Sequence, residues 1–227
     1  MSRIGEGIDD TLTFQTGSAM IDAGDPEFLD ADGSTADLGV GGGDDDRVVA
    51  GANFSVTPLD WSTYHQLSTA IAAAVTGNVI HVYPGLYYGD AIYGGKNIQI
   101  KGVYGPETVV TAGTSFGIQI QNSETAAASL EGFTLWTESS YALYLNGSSP
   151  TIKGCDFRYC TSSYAIYGTG GTPIFTDTRF EDNAGSYTTY FTGASKPTFT
   201  NSSFTNNRSY YSGGISAAGN SLVTVSG

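Results

Sequence analysis

The sequence is poor in positive charge. It holds 9 Lys and Arg residues against 22 Asp and Glu among 227 residues, and its formal net charge is −13. A nucleic-acid-binding surface needs clustered Lys and Arg to pair with phosphates, and an acidic chain repels phosphates. Nucleic-acid binding is therefore excluded. A membrane-spanning helix is excluded as well, because no run approaches the length of about 18 apolar residues that such a helix needs.

Cysteine is also scarce, since Cys155 and Cys160 are the only two. Two buried thiols are a more frequent arrangement than a disulfide at this spacing. The first residues, MSRIGEG, contain no apolar core of a secretory signal. Low Lys with abundant Tyr, Ser, Thr, Asn and Gly is nevertheless typical of surface proteins. We therefore expect an extracellular or cell-surface location and a chain that is a piece of a longer exported protein.

The acidic residues are concentrated at one end of the chain. Residues 1–50 hold 12 Asp and Glu against Arg3 and Arg47, so 12 − 2 places 10 of the 13 net negative charges there. Residues 51–227 are nearly neutral. The charge distribution predicts two regions, an acidic segment at 1–50 and a chemically different domain at 51–227.

From about residue 129 onward the sequence repeats itself every 23 to 24 residues, which is the signature of a solenoid. The repeat aligns four phenylalanines, three prolines and two sets of tyrosines: Phe133, Phe157, Phe180 and Phe204; Pro150, Pro173 and Pro197; Tyr141, Tyr164, Tyr187 and Tyr210; and Tyr144, Tyr167 and Tyr190. Each unit is too short for a helical stripe and is rich in β-branched and aromatic residues, with Gly, Ser and Asn between them. The repeats predict a parallel β-helix in which the Phe column forms an internal ladder.

One segment, at about 61–76, is predicted to form a helix. Ser62 or Thr63 is expected to cap its start, Leu67, Ile71 and Val75 share one face, and Gly77 ends it. The open end of a β-helix exposes core side chains and unpaired backbone. We expect this helix to cover the N-terminal end of the solenoid.

Several segments carry a resemblance to known proteins. The helix segment followed by VIHVYPGLYY at 79–88 and NIQIKG at 97–102 resembles the N-terminal end of right-handed parallel β-helix proteins of the pectate-lyase-like superfamily. FEDN at 180–183, FTNN at 204–207 and SGGI at 212–215 are similar to the repeats of polymorphic outer-membrane proteins. The resemblance covers about three quarters of the chain and implies an all-β fold, a right-handed parallel β-helix. It leaves the activity open, because this superfamily includes lyases, hydrolases, epimerases, adhesins and structural proteins.

The acidic segment resembles a stretch that usually follows the last coil of extracellular bacterial and archaeal β-helix proteins, yet here it precedes the helix. Three explanations stay open: a fragment cut from a tandem array, a circular permutation, or docking on a neighbouring molecule. Docking would give head-to-tail self-assembly, because a heterologous contact need not close. The expected partners are therefore other copies of this chain or tandem neighbouring domains.

The acidic segment also contains a candidate calcium loop. Asp30, Asp32 and Asp37, with Gly33 between them, offer the oxygen ligands and the sharp turn that Ca²⁺ sites use. The spacing departs from the full EF-hand pattern. The alternative is that these Asp side chains cap turns through their own backbone amides.

The tyrosine columns are the best candidates for a binding strip, which comprises Tyr141, Tyr144, Tyr164, Tyr167, Tyr187 and Tyr190. An exposed aromatic strip suits sugar rings or protein contacts. The two tyrosines of each repeat lie three positions apart, an odd offset that places them on opposite faces of a regular strand. We expect one column to face outward and the other inward.

A catalytic site is less well indicated. Arg158 and Arg179 lie beside four acidic residues, Asp156, Asp177, Glu181 and Asp182. An arginine base beside carboxylates resembles the catalytic site of a polysaccharide lyase. Salt bridges on a solenoid surface give the same pattern and are the favoured interpretation. His65 and His81 belong to no recognisable triad.

The sequence therefore favours a non-catalytic extracellular module with a structural or adhesive role, self-assembling through residues 1–50. The alternative is a carbohydrate-active protein, a lyase-like enzyme or a glycan-binding module with polysaccharide as its partner.

Overall fold

The structure, a computed structural model, describes residues 28–29, 48–49, 54–57, 64–88, 91–105, 108–111, 116–138 and 140–227. The chain divides into two compact units, Met1–Ala50 and Gly51–Gly227. In the first unit, strands Phe28–Leu29 and Val48–Val49 pair antiparallel. In the described parts of the chain, no helix has the length and apolar character to span a membrane.

The described strands of the second unit form three parallel sheets, which the chain visits in the same order in every coil from Val79 onward. Sheet 1 contains Phe54–Val56, Val79–Val82, Gln99–Gly102, Ser129–Glu131, Thr151–Lys153, Ile174–Thr176, Thr198–Thr200 and Thr224–Ser226. Sheet 2 contains Gly85–Tyr88, Thr108–Thr111, Phe133–Trp136, Asp156–Arg158, Arg179–Glu181 and Ser203–Thr205. Sheet 3 contains Ala91–Ile92, Phe116–Ile120, Tyr141–Asn146, Tyr164–Thr169, Tyr187–Thr192 and Ser212–Ala217. The predicted right-handed parallel β-helix is confirmed.

In-register pairing stacks like side chains inside the solenoid. Phe157 lies opposite Phe180, which lies opposite Phe204 on the next coil. Their ring centroids are 5.1 Å and 4.4 Å apart, with nearly parallel planes. A second stack joins Phe175 to Phe199 at 4.6 Å. Phe157, Phe175, Phe180 and Phe199 are fully buried, so these ladders form the core of the later coils.

The predicted Phe column is wrong at its first member. Leu135, not Phe133, lies opposite Phe157, and Phe133 occupies another buried position two residues earlier in the same strand. The distance from Leu135 to Tyr141 is six residues, while the distance from Phe157 to Tyr164 is seven. The connection that follows Leu135 is thus one residue shorter than the one that follows Phe157, and Leu135 and Phe157 are 22 residues apart, fewer than the step of 23 to 24 residues.

The backbone conformation of the turn between sheets 1 and 2 restricts which residue types can occupy it. Gly132, Gly154, Asp177 and Asn201 occupy equivalent corner positions, with φ of 74°, 57°, 51° and 49°. Only Gly, and less readily Asn and Asp, adopts this left-handed conformation at low cost. The turn residues of the repeat are therefore selected by the backbone.

The corner between sheets 2 and 3 carries a ladder of buried amides. Asn183 Nδ2 donates to the carbonyl of Phe157 at 2.9 Å, and its Oδ1 accepts the backbone N–H of Cys160 at 3.0 Å. Asn207 repeats the first bond one coil later, donating to the carbonyl of Phe180 at 3.0 Å. Buried backbone groups need such partners. This geometry explains the Phe-x-x-Asn pattern in the sequence.

The helix is shorter than predicted, spanning Leu67–Ala73 rather than 61–76. Tyr64 is held in an extended conformation by a parallel bridge to Val56, and Gln66 is the N-cap without a side-chain hydrogen bond. The predicted cap at Ser62 or Thr63, positions outside the described residues, is therefore wrong. Backbone pairing to the first strand of sheet 1 delays the start of the helix.

The C-terminal end of the helix is stabilised from another part of the chain. Lys96 Nζ donates to the carbonyls of Ile71 and Ala72 at 2.7 Å and 3.0 Å. A cation is favourable there because the last helical carbonyls carry partial negative charge. Leu67 and Ile71 are buried as predicted, whereas Val75 is 63% exposed because the helix ends at Ala73.

Both cysteines are free and buried, which confirms the prediction of two thiols. They flank the strand Asp156–Arg158. Burial raises the pKa of each thiol from 9.0 to about 12.

Replacing Phe180 with alanine should lower the free energy of unfolding by about 3–5 kcal/mol, because it removes a fully buried ring from the centre of a stack. Urea denaturation followed by circular dichroism measures the change. Ile174→Ala, at a 36% exposed position on sheet 1, is the control and should cost far less. Equal losses in the two variants would contradict the assignment of the core.

The thiols should be inert in the native protein. At about pH 8 a thiol reagent such as dithionitrobenzoate should label neither cysteine, because both remain protonated and buried; unfolding in guanidinium should expose both. Between about pH 9 and pH 12 the folded state keeps these protons while the unfolded state releases them, so stability should fall as the pH rises. Rapid labelling of the native protein would show that the thiols are accessible.

Candidate functional site

The most distinctive exterior feature is an array of six tyrosines on sheet 3, here called the tyrosine surface. Three successive strands of six residues each contribute two of them. Register pairing aligns them into two columns, Tyr141, Tyr164 and Tyr187 in one and Tyr144, Tyr167 and Tyr190 in the other. All six side chains are half-buried.

Both columns lie on the same exterior face, so the prediction that one column faces inward is wrong. In the strand Tyr141–Asn146, Ala142 and Leu143 are both buried although they are consecutive. The same interruption recurs in the next two coils. Because the in–out alternation is broken between the tyrosines, an offset of three residues returns the side chain to the same face.

The rings pack against one another along and across the columns. Tyr164 is stacked between Tyr141 and Tyr187, with centroids 5.3 Å and 5.5 Å away and interplanar angles of 14° and 2°. Tyr167 is stacked on Tyr144 at 5.8 Å. Tyr164 also meets Tyr167 edge-on at 5.3 Å. The six rings thus form one interlocked aromatic layer.

This packing changes what the surface offers to a ligand. The faces of the central rings lie against neighbouring rings, so the strip is not the flat aromatic platform that the sequence suggested. Its accessible part consists of ring edges and phenol hydroxyls. Within the described part of the chain, the hydroxyls of Tyr164, Tyr167, Tyr187 and Tyr190 have no protein hydrogen-bond partner. Partial burial, with the neighbouring phenols, raises the pKa of Tyr164 and Tyr167.

The first column continues with Tyr211, not with Tyr210 as the repeat step predicted. Tyr211 stacks on Tyr187 at 5.0 Å, and Tyr210 packs edge-on against Tyr211. The pairing between this coil and the previous one shifts register between Tyr187 and Thr189. Ser212 lies opposite Tyr187 in the backbone register, 25 residues further along the chain, so this coil is longer than the 23-residue step and Tyr211, the residue before Ser212, supplies the stacked ring.

Sheet 2 carries a second polar cluster, a network of ion pairs around Asp156. Arg179 binds this carboxylate through Nε at 3.0 Å and Nη2 at 2.5 Å. Arg158 Nη2 lies 3.0 Å from Asp156 and 3.2 Å from Glu181. The side chain of Asp156 is 7% exposed, so its charge needs these partners.

The ion pairs oppose the use of these arginines as a catalytic base. A base must first give up its proton, and the hydrogen bond to Asp156 raises the pKa of Arg179. Both carboxylates that flank Arg158 are likewise bound to it. The geometry therefore favours the interpretation of this cluster as surface salt bridges.

The remaining predicted sites are the candidate calcium loop and the two histidines. Asp30, Asp32 and Asp37, the candidate calcium ligands, lie outside the described residues, as do most of residues 1–50, so calcium binding and self-assembly through this segment stay predictions. The part of the chain that the structure describes contains no cluster of three or more metal-ligating side chains. Nδ1 of His65 lies 3.2 Å from the carbonyl oxygen of Thr57, and His81 is buried in sheet 1.

Comparison with known proteins supports the fold. Residues 141–227 match the family described as a right handed beta helix region. Two similar solved structures are a pectin methylesterase in complex with a hexasaccharide, 20% identical, and a pectin methylesterase from Erwinia chrysanthemi, 19% identical. Each match has a TM-score of 0.50 and covers 66% of this chain and 56% of the other. This chain thus matches little more than half of either enzyme, and at these identities the likeness shows the fold alone. No curated protein matches the sequence.

Replacing Asp156 with asparagine should lower the free energy of unfolding by about 1–2 kcal/mol, because it weakens two ion pairs at a mostly buried position. Urea denaturation measures the loss. Asp177→Asn is the matched control, since this exposed Asp has a positive φ that Asn also tolerates. If both variants are as stable as the parent, the network has no structural role.

Proposed function

We propose that this chain is a non-catalytic, glycan-binding β-helix module of an extracellular protein, and that the tyrosine surface is its binding site. The observation that carries the proposal is the group of four phenol hydroxyls, those of Tyr164, Tyr167, Tyr187 and Tyr190, that lie in register on one exterior face without a partner among the described residues. A phenol combines an apolar ring with a polar tip. A sugar offers the complementary pair, C–H groups and hydroxyls.

The regularity of the surface suits a linear polymer. Successive coils are one strand spacing apart, roughly 4.8 Å, and each coil presents the same pair of tyrosines. A polysaccharide chain lying across the coils would meet the same two groups at each step. Such repeated weak contacts add up along a polymer, because later contacts are made by a chain that is already bound.

The array is also rigid before any ligand arrives. Interlocked stacks restrict the rotamers of the six side chains. Binding then costs little additional side-chain entropy. One structural neighbour is a complex with a hexasaccharide, which shows that this fold can hold a carbohydrate.

Removing hydroxyls without removing rings tests the proposal. The triple variant Tyr167→Phe, Tyr187→Phe and Tyr190→Phe keeps the stacks and should bind its best glycan at least 10-fold more weakly, because each lost hydrogen bond contributes about 0.5–1.5 kcal/mol. Glycan-array screening identifies the ligand, and isothermal titration calorimetry measures the affinity.

Tyr159→Phe is the matched control, because Tyr159 is 56% exposed and lies in a turn outside the array. The Tyr159→Phe variant should bind the glycan as tightly as the parent protein does. If no glycan binds, or if the triple variant binds as tightly as the parent, the proposal is wrong. Formation of unsaturated product from uronic-acid polymers, lost on changing Arg158 or Arg179, would instead establish a lyase.

A further inference from the structure

We infer that the tyrosine surface recognises an uncharged polysaccharide and discriminates against acidic ones. This inference rests on the proposed function and specifies its ligand class. It departs from the pectin named for the structural neighbours, whose unesterified form carries a carboxylate on each sugar.

The strands beneath the surface contain no charged residue. Their sequences are YALYLN, YAIYGT and YTTYFT, and the neighbouring strands FGIQI and SGGISA lack Asp, Glu, Lys and Arg as well. The strands end in Asn146, Thr169 and Thr192, which are polar but neutral. The surface can therefore exchange hydrogen bonds with sugar hydroxyls but offers a carboxylate no counter-charge.

The two arginines on sheet 2, Arg158 and Arg179, are held in ion pairs with carboxylates. Arg179 is held by Asp156 through two hydrogen bonds, and Arg158 is shared between Asp156 and Glu181. On sheet 1, Lys153 pairs with Glu131 at 3.1 Å. An acidic glycan would have to break these pairs to gain any of these three cations.

Two exposed cations lie in turns near the last coils. Lys196 lies in the turn that leaves sheet 3, and Arg208 lies in the turn that precedes Tyr211. Glu138 holds the opposite charge in the turn that precedes Tyr141, at the other end of the array. The ends of the tyrosine surface thus carry opposite charges, and its centre carries none.

Energetics then favour a neutral ligand. A carboxylate that is brought against ring edges loses hydration, and this loss is recovered only by an opposite charge or several charge-assisted hydrogen bonds. Residues 51–227 carry 7 Lys and Arg against 10 Asp and Glu, so 7 − 10 leaves a net charge of −3, which repels a polyanion. An uncharged sugar has no charged group to dehydrate and is not repelled by the net charge.

The direct test uses one polymer backbone in two charge states. Homogalacturonan that is fully methyl-esterified is neutral, and the same polymer after alkaline de-esterification is anionic. The full-length protein should bind the esterified form, or a neutral glucan, xylan or galactan, at least 10-fold more tightly than the anionic form. Raising the NaCl concentration should leave the neutral affinity unchanged, because no ion pair is screened.

The variant Asn146→Lys adds a cation at the exposed end of one strand. It should raise the affinity for the anionic polymer relative to the affinity for the neutral polymer. Tighter binding of the anionic polymer by the parent, weakened both by salt and by the triple Tyr→Phe substitution, would overturn the neutral specificity while leaving the proposed binding surface intact. If no polymer binds, or if binding is indifferent to the tyrosines, both proposals fail.

Discussion

Parallel, in-register pairing between successive coils is the constraint on which the rest of this structure depends. It places each residue directly over its equivalent one coil away, so any side chain that recurs in the repeat becomes a stack. Inside the solenoid this produces the phenylalanine ladders and the Asn183–Asn207 amide ladder. Outside it produces the two tyrosine columns. The same rule thus generates the core and the candidate binding surface.

The stacks have different consequences on the two sides of the sheets. A buried ladder contributes stability through apolar area and close ring contact. An exterior ladder also orders a row of polar tips at the spacing of the strands. On sheet 2, Asp156 and Arg179 lie opposite each other and neutralise each other. On sheet 3, the phenols of Tyr164, Tyr167, Tyr187 and Tyr190 have no partner among the described residues. This contrast directs the functional assignment to sheet 3.

Much of the fold could be predicted from the sequence, because a repeat step reports stacking directly. The strands, the Phe157–Phe180–Phe204 ladder, the buried thiols and the buried helix residues Leu67 and Ile71 follow from period and residue type. The errors at Phe133 and Tyr210 arise where the length of a coil departs from the repeat step, with 22 residues from Leu135 to Phe157 and 25 from Tyr187 to Ser212. Such a change shifts a column without altering its composition. The error at Val75 arises because local spacing does not show where tertiary contacts end the helix.

The residues of the candidate site could be predicted from the sequence, but the orientation of their side chains could not. The period identified all six tyrosines, whereas their common outward orientation depends on a break in alternation at Ala142 and Leu143 that no pattern of polarity shows. Ring stacking then determined that edges and hydroxyls, rather than flat faces, are accessible. That distinction separates a stacking platform from a hydrogen-bonding array.

The claim that this array is a glycan-binding surface is tested most directly by chemical footprinting. Acetylation of tyrosine hydroxyls with N-acetylimidazole, mapped by mass spectrometry with and without a bound glycan, reports each phenol separately. The account predicts that the glycan protects Tyr164, Tyr167, Tyr187 and Tyr190 and leaves exposed Tyr159 as reactive as before. Unchanged labelling of these four tyrosines in the presence of a saturating glycan would contradict it.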